Sequence, residues 1–173
     1  MLLRIIIWVL LAWLAIPVLY FLTFALAARF RRKQTATEGT RRRRFTILIP
    51  AYHSDSCILD TTRAALDQDY PKELFSVMVI SDGMRPETVA ALRETGAEVL
   101  EVVFEQSSKA KALAAAIGSL GPDAADAVAI LDADNLASRS FLSSIDNAMC
   151  AGARAIQAHR TAKNEDTPVA VID

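Results

Sequence analysis

Residues 127–134 read AVAILDAD. An apolar run from Ala127 to Leu131 meets two aspartates, Asp132 and Asp134, one alanine apart. A short, continuous apolar run bounded by turn residues fits a strand buried on both faces. A carboxylate inside such a strand is costly unless something pairs with it. The aspartates therefore mark where the chain leaves the sheet. Either they stand in solvent at a strand end, or the place receives a cation.

The same pattern recurs on either side. FTILIP (45–50), SVMVIS (76–81) and EVLEVVF (98–104) read as three earlier strands, and RAIQAH (154–159) as a fifth. Between them lie helical stretches. One runs from Asp55 to Gln68. One runs from Pro86, suited to a first helical turn, to Thr95 before Gly96. An alanine-rich one runs from Ser108 to Leu120, before Gly121-Pro122. A last one runs from a Ser138 cap to Ala151, before Gly152. Strand and helix alternate, and the strands are continuous rather than alternating. The expected fold is α/β, with a mainly parallel sheet, right-handed crossovers and helices on both faces. Ligands of such sheets bind outside the carboxyl ends of the strands. Pro50, Ala51 and Tyr52 follow the first strand, Asp82 the second, and Asp132 and Asp134 the fourth, so all are expected on one edge.

Formal net charge is −1 over 173 residues, but it is divided: residues 1–44 carry about +8 and residues 45–173 about −9. The acidic part lacks the basic face of a nucleic-acid binder. Cys57 and Cys150 make no disulfide framework and read as thiols in a reducing compartment. Ile5 to Ala28 is uncharged, apolar and broken only by Pro17 and Thr23. About 24 residues at ~1.5 Å each reach ~36 Å, enough to cross a ~30 Å hydrocarbon core. The ALA at 25–27 resembles a signal-peptide cleavage site, but the apolar run exceeds the usual ~7–15 residues. Arg29, Arg31, Arg32 and Lys33 follow the run, while Arg4 alone precedes it. The positive-inside rule then predicts a single-pass anchor in the cell (inner or plasma) membrane, with the following domain in the cytosol. Residues 1–33 are the expected anchor and its basic flank, 34–44 a polar and arginine-rich linker, and 45–173 the domain. The arginines 41–44 read as a juxtamembrane cluster held near anionic lipid.

Three carboxylates on one edge, Asp82, Asp132 and Asp134, would repel one another unless neutralised. Mg²⁺ or Mn²⁺ would resolve this, because both prefer oxygen ligands and Mg²⁺ commonly takes one or two carboxylates plus substrate phosphates. An Asp-x-Asp pair then reads as half of a metal site, completed by a diphosphate. No G-x-G-x-x-G follows the first strand, and there is no G-x-x-x-x-G-K-[ST] phosphate loop. No Ser/His/Asp arrangement stands out, and His53 and His159 read as structural or solvated.

The series FTILIPAYHSD, ALDQDYP, FSVMVISDG, SSKAKALAAAI and AVAILDADN resembles the opening half of a family 2 glycosyltransferase of the GT-A (Rossmann-like) fold, over about residues 45–160. The hydrophobic anchor and arginine-rich flank are similar to those of membrane members that are processive or use lipid-linked substrates. The resemblance implies that Pro50, Ala51 and Tyr52 form the first nucleotide-contacting loop and that Asp82 hydrogen-bonds the base, typically uracil. It implies that Lys109 lies beside the diphosphate. Asp132 and Asp134 fall on the Asp-x-Asp signature, with Asp134 as the more direct metal ligand. A carboxylate can accept from a uracil N–H, and a lysine can neutralise phosphate as a point charge.

Three positions depart from the family pattern: Ser81 stands where many members have a second aspartate, His53 where Asn is frequent, and Ala114 where Asn is common. The family's acceptor site and catalytic Asp base are expected beyond residue 173, so the catalytic residue is unassigned and Asp173 is not appointed. The segment RTAKNEDTPVAVID is expected to order only against that further half. The resulting expectation is a metal-dependent, inverting transferase. Its donor is a UDP-sugar and its acceptor a polysaccharide or lipid-linked chain at the cytosolic membrane face, and the residues given carry only the donor-binding part. Two rivals remain. A membrane-anchored nucleotide-binding module or remnant would keep the fold without transfer. A haloacid-dehalogenase-type phosphohydrolase also uses Asp-x-Asp after a strand. It would carry Thr or Val where Leu136 stands, with the motif on the first strand rather than the fourth.

Overall fold

The computed structural model describes residues 1–29 and 42–159. The linker 34–40, the basic residues Arg31, Arg32, Lys33 and Arg41, and the tail 160–173 lie outside the described residues. The chain forms two separate units, Met1–Thr35 and Ala36–Asp173.

The first unit is helix α1, Leu2–Arg29. Its stretch Leu2–Ala27 has a mean hydropathy of 2.6 and is long and apolar enough to cross a membrane. Pro17 removes one backbone donor within it. The Thr23 hydroxyl donates back to the Tyr20 carbonyl at 2.7 Å, so its polar atom is satisfied within the helix.

The second unit carries four parallel strands: β1 Phe45–Tyr52, β2 Phe75–Asp82, β3 Glu98–Val102 and β4 Ala127–Ile130. Their order is β3-β2-β1-β4. The helices are α2 Ile58–Leu66, α3 Pro86–Glu94, α4 Lys109–Ser119 and α5 Phe141–Cys150. The two faces of β1 and β2 are filled by alternate residues of each strand, whereas β4 is covered on one face only: Val128 and Ile130 are 44% and 50% exposed, so the expectation of a fourth strand buried on both faces is corrected. Phe45, Ile47, Ile49, Val77 and Val79 point to one face and pack with Ile58, Leu92 and Leu142 of α2, α3 and α5. Leu48, Met78 and Ile80 point to the other, under Ala112 and Ala116 of α4. Burial on both faces is why β1 and β2 read as unbroken apolar runs.

Helix α2 begins at Ile58 rather than Asp55, and further details differ from the sequence reading. Residues 154–159 form no strand, and Ile156 is exposed. β-branched residues favour a strand only where a neighbour completes the ladder, and none does here among the described residues. Helix α5 begins at Phe141 rather than behind a Ser138 cap; the Ser138 carbonyl instead accepts from Phe141 N at 3.0 Å. Arg42, Arg43 and Arg44 also make contacts within the domain. Arg43 pairs with the buried Asp146 at 2.8 Å, Arg44 pairs with Asp126 at 3.2 Å, and Arg42 lies over the Tyr70 ring at 5.3 Å. Arg43 and Arg44 fasten the entry of β1 to α5 and to the approach to β4.

Candidate active site

Strand order places a topological switch beside β1. The chain runs outward from β1 to β2 to β3, then returns across the sheet to lay β4 on the other side of β1. Loops on either side of a switch diverge, which opens a crevice at the carboxyl ends of the strands. The Leu131 N–H still bonds the Leu48 carbonyl at 3.0 Å, but the β1–β4 register ends at Leu48 and Ile130. Alternation along β1 turns Pro50 to the same side as Leu48, where β4 has already left. A proline there forfeits no ladder bond, which is why one is tolerated in a central strand.

A cleft of about 290 Å³ lies at this edge, lined by Pro50, Ala51, Tyr52, Asp82, Ser107, Ser108, Lys109 and Ala112. Five of the seven sequence-predicted site residues therefore meet in one cavity. Asp132, the sixth, joins them through an ion pair with Lys109. Asp134, the seventh, is on the same turn but exposed. A larger concavity of about 500 Å³ lies among Arg63, Asp67, Lys72, Glu94 and Thr95. These residues belong to the C-terminal ends of α2 and α3 and the 3₁₀ turn before β2, hence to the opposite edge of the sheet. Their charges are balanced, and helix C-termini repel anions. The switch-point cleft is the better ligand site.

Asp82 ends β2 and is 6% exposed. Its carbonyl accepts the His53 N–H at 3.2 Å, which ties the loop after β2 to the loop after β1. His53 itself has φ +47°. Its ring lies against Gly83, at φ +67°, so closely that a Cβ on Gly83 would sit 2.8 Å from His53 Cε1. Glycine is required there for both the backbone angle and the space. Beside them Asp55 accepts the Arg85 N–H at 3.0 Å, at the start of α3. The Thr88 hydroxyl and then the Arg85 amide hold the Asp55 carboxyl below the ordinary carboxylate range. The Tyr52 ring is exposed and meets the His53 ring edge-on at 4.3 Å.

On the other side of the cleft, Ser108 caps α4, its hydroxyl accepting from Lys111 N at 3.2 Å. Lys109 is the first helical residue, and its Nζ is ion-paired with Asp132 Oδ1. The other Asp132 oxygen accepts from Asn135 Nδ2 at 3.3 Å. The turn that follows is held to α2 by the Thr61 hydroxyl, which donates to the Ala133 carbonyl at 2.7 Å. Asp134 has no hydrogen bond or ion pair among the described residues.

The three carboxylates do not form one cluster. Among the described residues no group of three His, Cys, Asp or Glu side chains is placed to hold a metal ion. Strand β1 stands between β2 and β4, which separates Asp82 from Asp132 by about two strand spacings, ~10 Å. The expectation that mutual repulsion at one edge demands a cation is corrected accordingly, since Lys109 already neutralises Asp132. The Asp132/Asp134 turn still fits a hard divalent cation. It offers two carboxylates, one of them exposed, and leaves the remaining oxygens to come from a phosphate. Sequence reasoning missed Ser107, Ser108 and Ala112 in the cleft wall, although the Ser-Ser-Lys run before an alanine-rich helix is a capping signal. It also missed the His53–Gly83 contact, which no local pattern announces.

The sequence model of the family described as "Glycosyltransferase like family 2" matches residues 42–172, three quarters of the chain. The chain belongs to that family. Cellulose synthase 1 of Komagataeibacter xylinus is 33% identical to this glycosyltransferase-family chain over 97 residues, 56% of the chain and 6% of the synthase. Cellulose synthase 1 of Novacetimonas hansenii matches to the same extent. Among solved structures, the mannosyltransferase of Pyrobaculum calidifontis in complex with GDP-Man and Mn²⁺ superposes with a TM-score of 0.60 at 26% identity, over 77% of this chain and 39% of that one. TarS of S. aureus superposes with a TM-score of 0.51 at 20% identity, over 59% of this chain and 18% of that one, which shows the shared fold. The α/β sheet is thus GT-A-like, as the sequence resemblance implied. The chain spans well under half the length of each of these relatives.

Proposed function

We propose that this chain carries the donor-binding edge of a metal-dependent, inverting glycosyltransferase. The donor is a nucleotide-sugar, with UDP as the nucleotide. The acceptor is a polysaccharide or lipid-linked glycan at the cytosolic face of the cell (inner or plasma) membrane, to which α1 anchors the protein. One observation carries the reading: a single switch-point cleft has a buried carboxylate, Asp82, on one side and Lys109 with the Asp132/Asp134 turn on the other. That spacing suits an extended ligand with a hydrogen-bonding base at one end and a diphosphate at the other. Asp82 accepts the base N–H, and Tyr52 presents an aromatic wall beside it. Lys109, at the start of α4, faces the diphosphate, where helix amides and a lysine both favour negative charge. Asp134, with Asp132, holds Mg²⁺ or Mn²⁺, which when bound offsets charge developing on the departing diphosphate. No described residue is assigned as the base that deprotonates the acceptor.

Calorimetric titration of the full chain in detergent tests this reading. UDP binds in the presence of Mn²⁺ and more tightly than GDP. Asp134→Asn removes the Mn²⁺-dependent part of the affinity. Unchanged UDP affinity in Asp134→Asn sinks the metal assignment, and tighter binding of GDP moves the donor to guanine chemistry.

A further inference from the structure

We propose that Lys109 is the resident counter-ion of the Asp132 carboxylate and is exchanged for the metal when a diphosphate enters, so that metal and nucleotide bind as a coupled pair. The proposal rests on the donor-binding reading of the same cleft. It starts from the ion pair that joins α4 to the turn after β4, with the Lys109 and Asp132 side chains 53% and 26% exposed. Lys109 is the first residue of α4, the end of a helix where a cation is electrostatically disfavoured. The lysine therefore gains from any anion placed against it. Asp132 supplies that anion in this structure, and a diphosphate at the same helix start would supply a better one.

The turn is built for exchange. Asn135 Nδ2 holds the second Asp132 oxygen, which fixes the carboxylate whichever cation occupies the first. Asp134 is exposed and engages no other group among the described residues, so a hydrated cation meets it without displacing anything. One exposed carboxylate binds Mg²⁺ or Mn²⁺ weakly, and firmer binding requires Asp132, which Lys109 holds. Entry of the diphosphate turns Lys109 toward phosphate and releases Asp132 to the metal. Before the step Lys109 pairs with Asp132 and the cation meets Asp134 alone; after it Lys109 pairs with phosphate and the cation has both carboxylates, with no covalent change. By linkage, the metal then raises nucleotide affinity and the nucleotide raises metal affinity by the same factor.

The exchange predicts effects of opposite sign, which loss of fold does not produce. The full chain in detergent is titrated with Mn²⁺ in the absence of nucleotide, the free ion being read by electron paramagnetic resonance. Lys109→Met binds Mn²⁺ about fivefold more tightly than the unaltered chain, the scale of losing one competing exposed ion pair. Lys111→Met removes the same charge two residues away, where Nζ donates to the Gln106 carbonyl, and stays within about twofold. Adding Asp132→Asn to Lys109→Met cancels the gain. In the second arm, UDP with saturating Mn²⁺ binds Lys109→Met about tenfold more weakly, the loss of one charge-assisted phosphate contact. Nucleotide-free Mn²⁺ binding by Lys109→Met no tighter than by Lys111→Met, or no binding by either, overturns the exchange. Failure of the unaltered chain to bind UDP with Mn²⁺ overturns the donor reading instead, while the nucleotide-free arm still decides whether Lys109 competes with the cation.

Discussion

Replacing Arg43 with Met removes a guanidinium from the most buried charged network of the domain while keeping an unbranched apolar stem. Arg43 Nη1 donates to Asp146 Oδ1 at 2.8 Å and to Cys150 Sγ at 3.1 Å. The Tyr70 hydroxyl shares its one proton between the Arg43 carbonyl at 2.8 Å and Asp146 Oδ2 at 3.1 Å. Asp146 is 6% exposed, so in Arg43→Met its charge is left with Tyr70 as the remaining side-chain partner. Breaking a buried pair from one side costs ~3–5 kcal/mol. The Arg43 side chain is 28% exposed, and screening by water brings the expected loss to about 2–3 kcal/mol. For a folded domain of this size that is a fall in Tm of about 10 °C. Trp8 and Trp13 both lie in α1, so tryptophan emission follows that helix and not the domain. Urea-dependent labelling of Cys57, a half-buried thiol of the domain outside this network, reads the right transition. Adding Asp146→Asn to Arg43→Met should recover part of the loss, because the uncompensated charge is gone. A loss below about 0.5 kcal/mol in Arg43→Met, the range of ordinary surface substitutions, would refute the reasoning.

The same network sets an alkaline limit. Burial, and then the Asp146 carboxylate, push the Tyr70 hydroxyl up to about 12. The folded state therefore keeps a proton that the unfolded chain releases near pH 10, so stability falls between about pH 10 and 12. Tyr70→Phe should be less stable at neutral pH and show a flatter decline across that window, measured by urea midpoints at stepped pH. At the cleft, Gly83→Ala would place a methyl 2.8 Å from His53 Cε1 and force a positive φ on alanine. A destabilisation of about 2 kcal/mol and weaker UDP binding are expected, because the displaced loop carries Asp82. Adding His53→Gly to Gly83→Ala should restore part of the UDP affinity, and calorimetry that finds no recovery would separate the His53 contact from the position of Asp82.

Strands β1 and β2, buried on both faces, were legible in the sequence because the runs FTILIP and SVMVIS are short, rich in β-branched residues and bounded by turn residues. Observed β1 and β2 extend those runs by no more than two residues at an end. Legibility fell where structure depends on a neighbour distant in sequence. RAIQAH holds one β-branched residue, Ile156, and has no ladder partner among the described residues. The contacts of Arg42, Arg43 and Arg44 inside the domain were not legible because their partners, Tyr70, Asp146 and Asp126, lie about 30 to 100 positions away. Asp82 and the Asp-x-Asp turn were correctly assigned to one edge, since strand ends define it. Their separation across β1 depends on strand order, which no local pattern encodes. The Lys109–Asp132 pair was hidden for the same reason: it joins two sides of the switch point.

On the proposed reading the switch-point cleft binds nucleotide at Asp82 and metal at the Asp132/Asp134 turn. Diffraction from crystals of the chain grown with UDP and Mn²⁺, recorded at the manganese absorption edge, tests it most directly. An anomalous peak is expected within coordination distance of Asp134, ~2.2 Å, with the diphosphate beside Lys109 and the uracil on Asp82. A peak elsewhere, or a nucleotide seated in the concavity lined by Arg63 and Lys72, would contradict it.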